Sequence, residues 1–251
     1  MWLAIRNWFQ NGRIGRRWER RCALGMLLGL SGFAGFLAAA MALYPGGNWL
    51  DRAAPGHRFF ANFLCDLTQP IALSGVKNSL AAGLAQTGLL FFAFALAGFF
   101  AVLPQHFSVG SRAARWVRGL GECAALCFGA VPLTPSERFG KVHAVLALGS
   151  GALGIAAALC AVWALFASKR RALATLGVLS LVAGVAEAGL FVYYLSDTTP
   201  PPLEVPAMQK VAALLLSAWI AAVAARVLLD PTHSRHDVGP LSTSPPPPPS
   251  P

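Results

Sequence analysis

The stretch SLAAGLAQTGLLFFAFALAGFFAVL, residues 79–103, decides the fold class. It carries no charge, its only polar side chains are Ser79, Gln86 and Thr87, and Pro104 ends it. As a helix rising 1.5 Å per residue it is long enough to cross a hydrocarbon core about 30 Å thick. A surface helix of a water-soluble domain keeps one polar face, and this stretch has none. Its solvent is lipid.

Working outward, the same apolar block recurs at 22–43, 144–167, 173–195 and 207–229, with a shorter one at 119–133 that ends near Pro132. Pro200, Pro201 and Pro202 cannot continue a helix and separate the last two blocks. The 251-residue chain is 56% hydrophobic and only 12% charged, with a mean hydropathy of +0.57. About a quarter of a soluble domain's residues are charged, so a chain with half that share cannot cover a water-facing surface of this size. The expected fold is an all-α polytopic transmembrane bundle of six spans. Residues 1–21 form a basic lead, 22–230 the six-helix domain and 231–251 a proline-rich tail.

The net charge of +10 does not point to nucleic acid. The basic residues sit in short clusters between apolar blocks, where they set topology, and no basic stripe interleaved with aromatics follows one element. With the N-terminus inside, the cytoplasmic side holds Arg6, Arg13, Arg16, Arg17, Arg20, Arg21, Arg112, Arg115, Arg118, Lys169, Arg170, Arg171, Arg226 and Arg235. The other side holds Arg52, Arg58, Lys77, Arg138, Lys141 and Lys210, so the bias is fourteen to six. Dropping the short third block would move Lys169, Arg170 and Arg171 outside, against that bias, so the block is retained as a span with both termini inside.

The two ends of the chain read differently. In the lead, Trp2, Ile5, Trp8 and Phe9 recur at helical spacing among arginines, the pattern of an interfacial helix. Ala38, Ala39 and Ala40 resemble a processing site, but the apolar block before them exceeds the 7–15 residues of a signal-peptide core, so an uncleaved anchor is expected. The tail ends in a run of prolines at 245–249 and is expected to be a disordered, polyproline-like segment.

Ionisable and polar groups inside such a chain mark where chemistry would live. Glu187 lies two turns inside the fifth block, where it must be protonated, paired or facing a wet cavity; Lys210 and His143 are the expected donors. The 35-residue loop after the first block opens with Tyr44-Pro45-Gly46-Gly47 and carries Phe59, Phe60, Phe63, Leu64 and Leu67 at helical spacing. It is expected to hold a short interfacial helix with Asn62 and Asp66 one turn apart on one face. His143 opens the fourth block on the same side as Asp66, and the two are expected to lie near each other. Asn62, Asp66, His143 and Glu187 therefore form the candidate polar cluster. Gly25 and Gly29 give the first span a small-x-x-x-small pattern for close helix approach. Five cysteines, Cys22, Cys65, Cys123, Cys127 and Cys160, show no metal-ligand spacing, and neither a disulfide nor a metal nor another cofactor is expected.

Taken together, Tyr44-Pro45-Gly46-Gly47, then Asn62-Phe63-Leu64-Cys65-Asp66-Leu67, then Gly129-Ala130-Val131-Pro132, then His143 form an ordered series. The series resembles the bacterial membrane family filed as domain of unknown function nine-nine-eight, and more distantly the DRAM and Sfk type six-helix proteins. In that family an Asn/His-Phe-Ile/Leu-Ser-Asp-Leu-Gly segment follows the first span, and a Gly-x-Phe-Pro segment and a histidine precede the fourth. This chain departs from it at Cys65 for the serine, Thr68 for the glycine and Val131 for the aromatic. The resemblance implies a six-helix fold in a bacterial inner membrane and assigns no activity.

The expected function is non-enzymatic, with membrane lipids, a membrane protein or a second copy of the chain as partner. Two alternatives stand beside it. One is a small proton-coupled transporter using Glu187. The other is a membrane-embedded lipid hydrolase with its site at Asp66 and His143.

Overall fold

A computed structural model describes residues 15–107, 112–196 and 203–229. The interfacial-helix reading of residues 1–14 and the proline-rich tail lie outside them. The described residues form six long helices: α1 (Arg16–Leu43), α2 (Ser79–Val102), α3 (Arg112–Ala130), α4 (Ser136–Ala167), α5 (Arg171–Ser196) and α6 (Glu204–Leu229). No strand occurs among them, and the only bridge pairings, Gly46 with Pro55 and Ile71 with Lys77, brace the 44–78 loop.

All of these helices but α3 are long and apolar enough to cross a membrane. Helix α3 has the length but spends its first turns on Arg112, Arg115, Arg118 and Glu122. Helix α1 begins inside the basic lead, so the arginines from Arg16 to Arg21 continue the first span rather than preceding it. Helix α4 starts at Ser136, but Gly140 at φ 34°, ψ −97° breaks it three residues before His143. Large apolar side chains face outward on every helix, among them Leu28, Phe94, Leu126, Trp163, Val182 and Leu214. In water so much exposed apolar surface would drive aggregation, whereas in lipid it is the solvated face.

Each helix packs on its neighbour in sequence, and α6 packs back on α1, which closes the bundle into a ring. The closest approach is between α1 and α2. A Cβ added to Gly29 would lie 2.8 Å from the Phe91 carbonyl oxygen and 2.8 Å from the Ala95 Cβ, so the small-residue pattern sits at a backbone-to-backbone contact. Aromatic rings knit the interior: Phe33 meets Phe92 at 4.7 Å, Phe92 meets Phe128 at 5.5 Å, and Phe99 meets Trp219 at 5.0 Å. Such pairs add specific edge and face contacts to simple packing.

The turn between α4 and α5 closes by paired end bonds, Lys169 N–H to the Phe166 carbonyl and Arg170 N–H to the Leu165 carbonyl. This geometry puts Lys169 at φ 59°, a left-handed conformation that costs a side-chain-bearing residue about 1 kcal/mol and suits glycine. Lys169→Gly is therefore expected to stabilise the fold by about 0.5–1 kcal/mol in a detergent unfolding titration. A destabilised variant would count against this turn geometry.

Candidate functional site

The 44–78 loop is built from side chains that capture its backbone. Asn48 Oδ1 accepts from the N–H groups of Leu50 and Asp51, each at 2.9 Å. Gly47 sits at φ +84°, and a Cβ there would lie 2.3 Å from Ser74 N, so only glycine fits. Asn62, fully buried, accepts from Arg58 N–H at 2.9 Å and donates to the Gly47 carbonyl at 2.8 Å and to Asp66 Oδ2 at 3.4 Å. Asp66 Oδ2 also accepts from Phe63 N–H at 2.8 Å, and its Oδ1 accepts from Trp49 Nε1 at 3.2 Å.

The expected interfacial helix over this loop is not formed. Residues 57–65 are turns, and a short 3-10 turn follows at Asp66–Thr68. The reason lies in the side chains themselves. Asn62 and Asp66 take the Arg58 and Phe63 N–H groups that would otherwise point along a helix axis, the competition by which Asx residues divert a backbone into turns. Phe63, Leu64 and Leu67 are buried, while Phe59 and Phe60 stay exposed.

The loop is fastened to two helices distant in sequence. Lys210 of α6, only 3% exposed, donates from Nζ to the carbonyls of Asn62 and Pro206, and Gln209 Oε1 accepts from Leu64 N–H at 2.8 Å. At the head of α4, Gln69 donates to Ser136 Oγ at 2.8 Å and accepts from Glu137 N–H at 3.2 Å. Burial pushes the Asp66 carboxyl up to about 6, against the pull of the Phe63, Trp49 and Asn62 donors and of the Lys210 ammonium. Burial, aided by the Lys210 charge, lowers His57 to about 4. Burial and the charges of Asp66 and Glu187 push the Cys65 thiol up to about 12, so it holds almost no thiolate at neutral pH.

Beneath this loop the helices line a partly open cavity of about 280 Å³. All six helices and the loop contribute to its wall, which is mostly apolar: Phe33, Leu89, Phe92, Leu96, Phe128 and Leu216 are typical. The polar positions are few. Cys65, Glu187 and Gln209 line it, with Ser150, Ser180 and Trp219 further along. From Gln209 to Trp219 the cavity follows α6 for ten residues, about 15 Å at the helical rise. The hydroxyl of Ser180 and the indole N–H of Trp219 are both buried without a hydrogen-bond partner. The Glu187 carboxyl has no hydrogen-bond or ion-pair partner among the described residues, and no basic side chain lines the wall with it.

Of the residues singled out in the sequence, Asn62 and Asp66 are in contact. His143 hydrogen-bonds through Nδ1 to the Thr134 carbonyl at 2.7 Å, in the segment just before its own helix. It heads the same α4 turn region to which Gln69 is fastened three residues after Asp66. Glu187 lies in the cavity wall beside Cys65, and neither Asp66 nor His143 lines it. Lys210, expected as a donor to Glu187, is turned to the loop carbonyls instead. Among the described residues no group of three His, Cys, Asp or Glu side chains is placed to share a metal. The sequence reading passed over Gln209, Ser180 and Trp219. The adjacent Gln209-Lys210 pair, polar residues in the second turn of an apolar helix, was the available signal. Comparison with protein-family models, curated proteins and solved structures finds no match to this chain.

Proposed function

We propose that the chain is a non-enzymatic bacterial inner-membrane protein of six spans, with both termini cytoplasmic, that holds a lipid-like ligand in the cavity inside its helix ring. The observation that carries this reading is the cavity itself. Its wall is mostly apolar and only partly closed, the form of a cleft that an acyl chain can enter. A chain lying in it covers that apolar wall, and the bilayer around the bundle supplies such chains at high concentration.

Gly184 provides the test. It lines the cavity, and a Cβ added there meets nothing within 4 Å. Gly184→Leu is expected to fold at least as stably as the parent, since it replaces a mid-helix glycine, a gain of about 0.8 kcal/mol before any packing benefit. It is also expected to abolish binding of dodecanol, measured by calorimetry in lipid nanodiscs. Unchanged dodecanol binding by a folded Gly184→Leu protein would defeat the proposal.

The topology is tested separately. Reporter fusions after residues 110, 170 and 235 should report cytoplasm, and those after 55, 138 and 200 the opposite face, as the charge bias requires. An outside signal after residue 170 would mean that α3 does not cross.

A further inference from the structure

We propose that the cavity selects a single-chain amphiphile with a cationic amine head, which it takes up in exchange for a proton at Glu187. This rests on the reading of the cavity as a ligand site and adds the chemistry of the head. The wall contains one ionisable acid and no base. Lys210, one residue from the cavity-lining Gln209, has its ammonium committed to the Asn62 and Pro206 carbonyls. Arg52 and Arg58 belong to the 44–78 loop and do not line the cavity. The Glu187 carboxylate therefore has no counterion within the protein wall, and a carboxylate in an apolar wall requires one. Two species can serve, a proton or a cationic ligand, and the site alternates between them. Arrival of the ammonium replaces the O–H bond with a charge-assisted N–H···O contact, and the displaced proton passes to bulk solvent, so total charge in the cavity is conserved.

The distribution of polar atoms orients the occupant. Glu187 and the Gln209 amide lie at the end of the cavity nearest the 44–78 loop, where Leu64 and Cys65 also reach the wall. Gln209 Oε1 accepts from Leu64 N–H and keeps a second lone pair that can accept from an ammonium N–H. The amine head sits there, and the chain runs along the Leu216 side toward Phe100 and Trp219. Ser180, with its unpartnered buried hydroxyl between the two ends, is a hydrogen-bonding position for a chain that carries a hydroxyl near its middle.

The test uses the full chain in phosphatidylcholine nanodiscs and three probes with one chain length, dodecylammonium, dodecanol and dodecanoate. Gly184→Leu nanodiscs are titrated in parallel to subtract partition into the bilayer. The parent is expected to bind the cation about tenfold more tightly than the alcohol, and the carboxylate least. In weakly buffered solution it should release about one proton per cation bound, with cation affinity rising as pH rises. Glu187→Gln is expected to bind the cation no more tightly than the alcohol and to release no proton. Equal binding of cation and alcohol by the parent would overturn the head-group assignment and leave the cavity reading standing. A cation preference retained in Glu187→Gln would overturn it as well. Failure of all three probes to bind the parent beyond the Gly184→Leu background would remove the cavity reading and the head-group assignment together.

Discussion

Asn62→Ala is expected to cost about 3 kcal/mol in unfolding free energy, measured by sodium dodecyl sulfate titration from mixed micelles. The side chain is fully buried and satisfies three groups at once: the Gly47 carbonyl, the Arg58 N–H and the Asp66 carboxylate. Truncation leaves each of them without that partner, and a buried polar group left unpaired costs about 1–3 kcal/mol. Asn62→Asp keeps an acceptor for Arg58 but replaces a donor to Asp66 with a second carboxylate, so it should cost no less. Phe60→Ala serves as the comparison, because that ring is 60% exposed, and it should shift stability by about 0.5 kcal/mol or less. An Asn62→Ala protein within about 1 kcal/mol of the parent would show that the loop network is not a source of stability.

The second large effect is a pair of opposed pH dependences in the same loop. Asp66 has a folded pKa of about 6 against the ordinary 3.8, so its protonated form is the one that folding favours. That contribution is complete below pH 3.8 and is lost as pH rises through 6, about 3 kcal/mol in all at 1.36 kcal/mol per pKa unit. His57 runs the other way. Its folded pKa is about 4 against 6.5, so its contribution is complete above pH 6.5 and is lost as pH falls through 4. In the parent the two slopes oppose each other across this window. The difference in unfolding free energy between the parent and Asp66→Asn should therefore fall as pH rises through 6, and that between the parent and His57→Gln should rise. Flat differences in both series would place these groups in water rather than in the packed loop.

Five of the helices were legible because each is an apolar run long enough to cross a membrane. Residues 79–103, read as one apolar block, became α2 within a residue at its end. Which faces meet was not legible, because a helix apolar on all sides carries no period that distinguishes a lipid-facing Phe94 from a buried Phe92. For the same reason the cavity left no mark in the sequence, since its wall and the lipid-facing surface draw on the same residue types. Asn62 and Asp66 were paired correctly from their spacing, yet for a reason that does not hold. Four residues apart they would share a helix face, and here a turn joins them after their side chains have taken the backbone donors a helix needs. Lys210 was read as a partner for the nearest buried acid. It found the carbonyls of a loop 148 residues away in the chain, a separation that no local pattern reports.

The closure of the ring by α6 against α1 has a consequence for how the protein is made. A chain threaded into the membrane from its N-terminus places α1 to α5 before α6 leaves the ribosome. Until then the wall contributed by Gln209, Leu216 and Trp219 is absent, and the loop lacks the Lys210 fastening at Asn62. The nascent bundle is an open crescent whose cavity-lining face is uncovered on the α6 side. Ring closure is the long-range step, with its entropy cost met only at the end. On the ligand reading proposed above, ligand and final helix meet the same surface in the same interval.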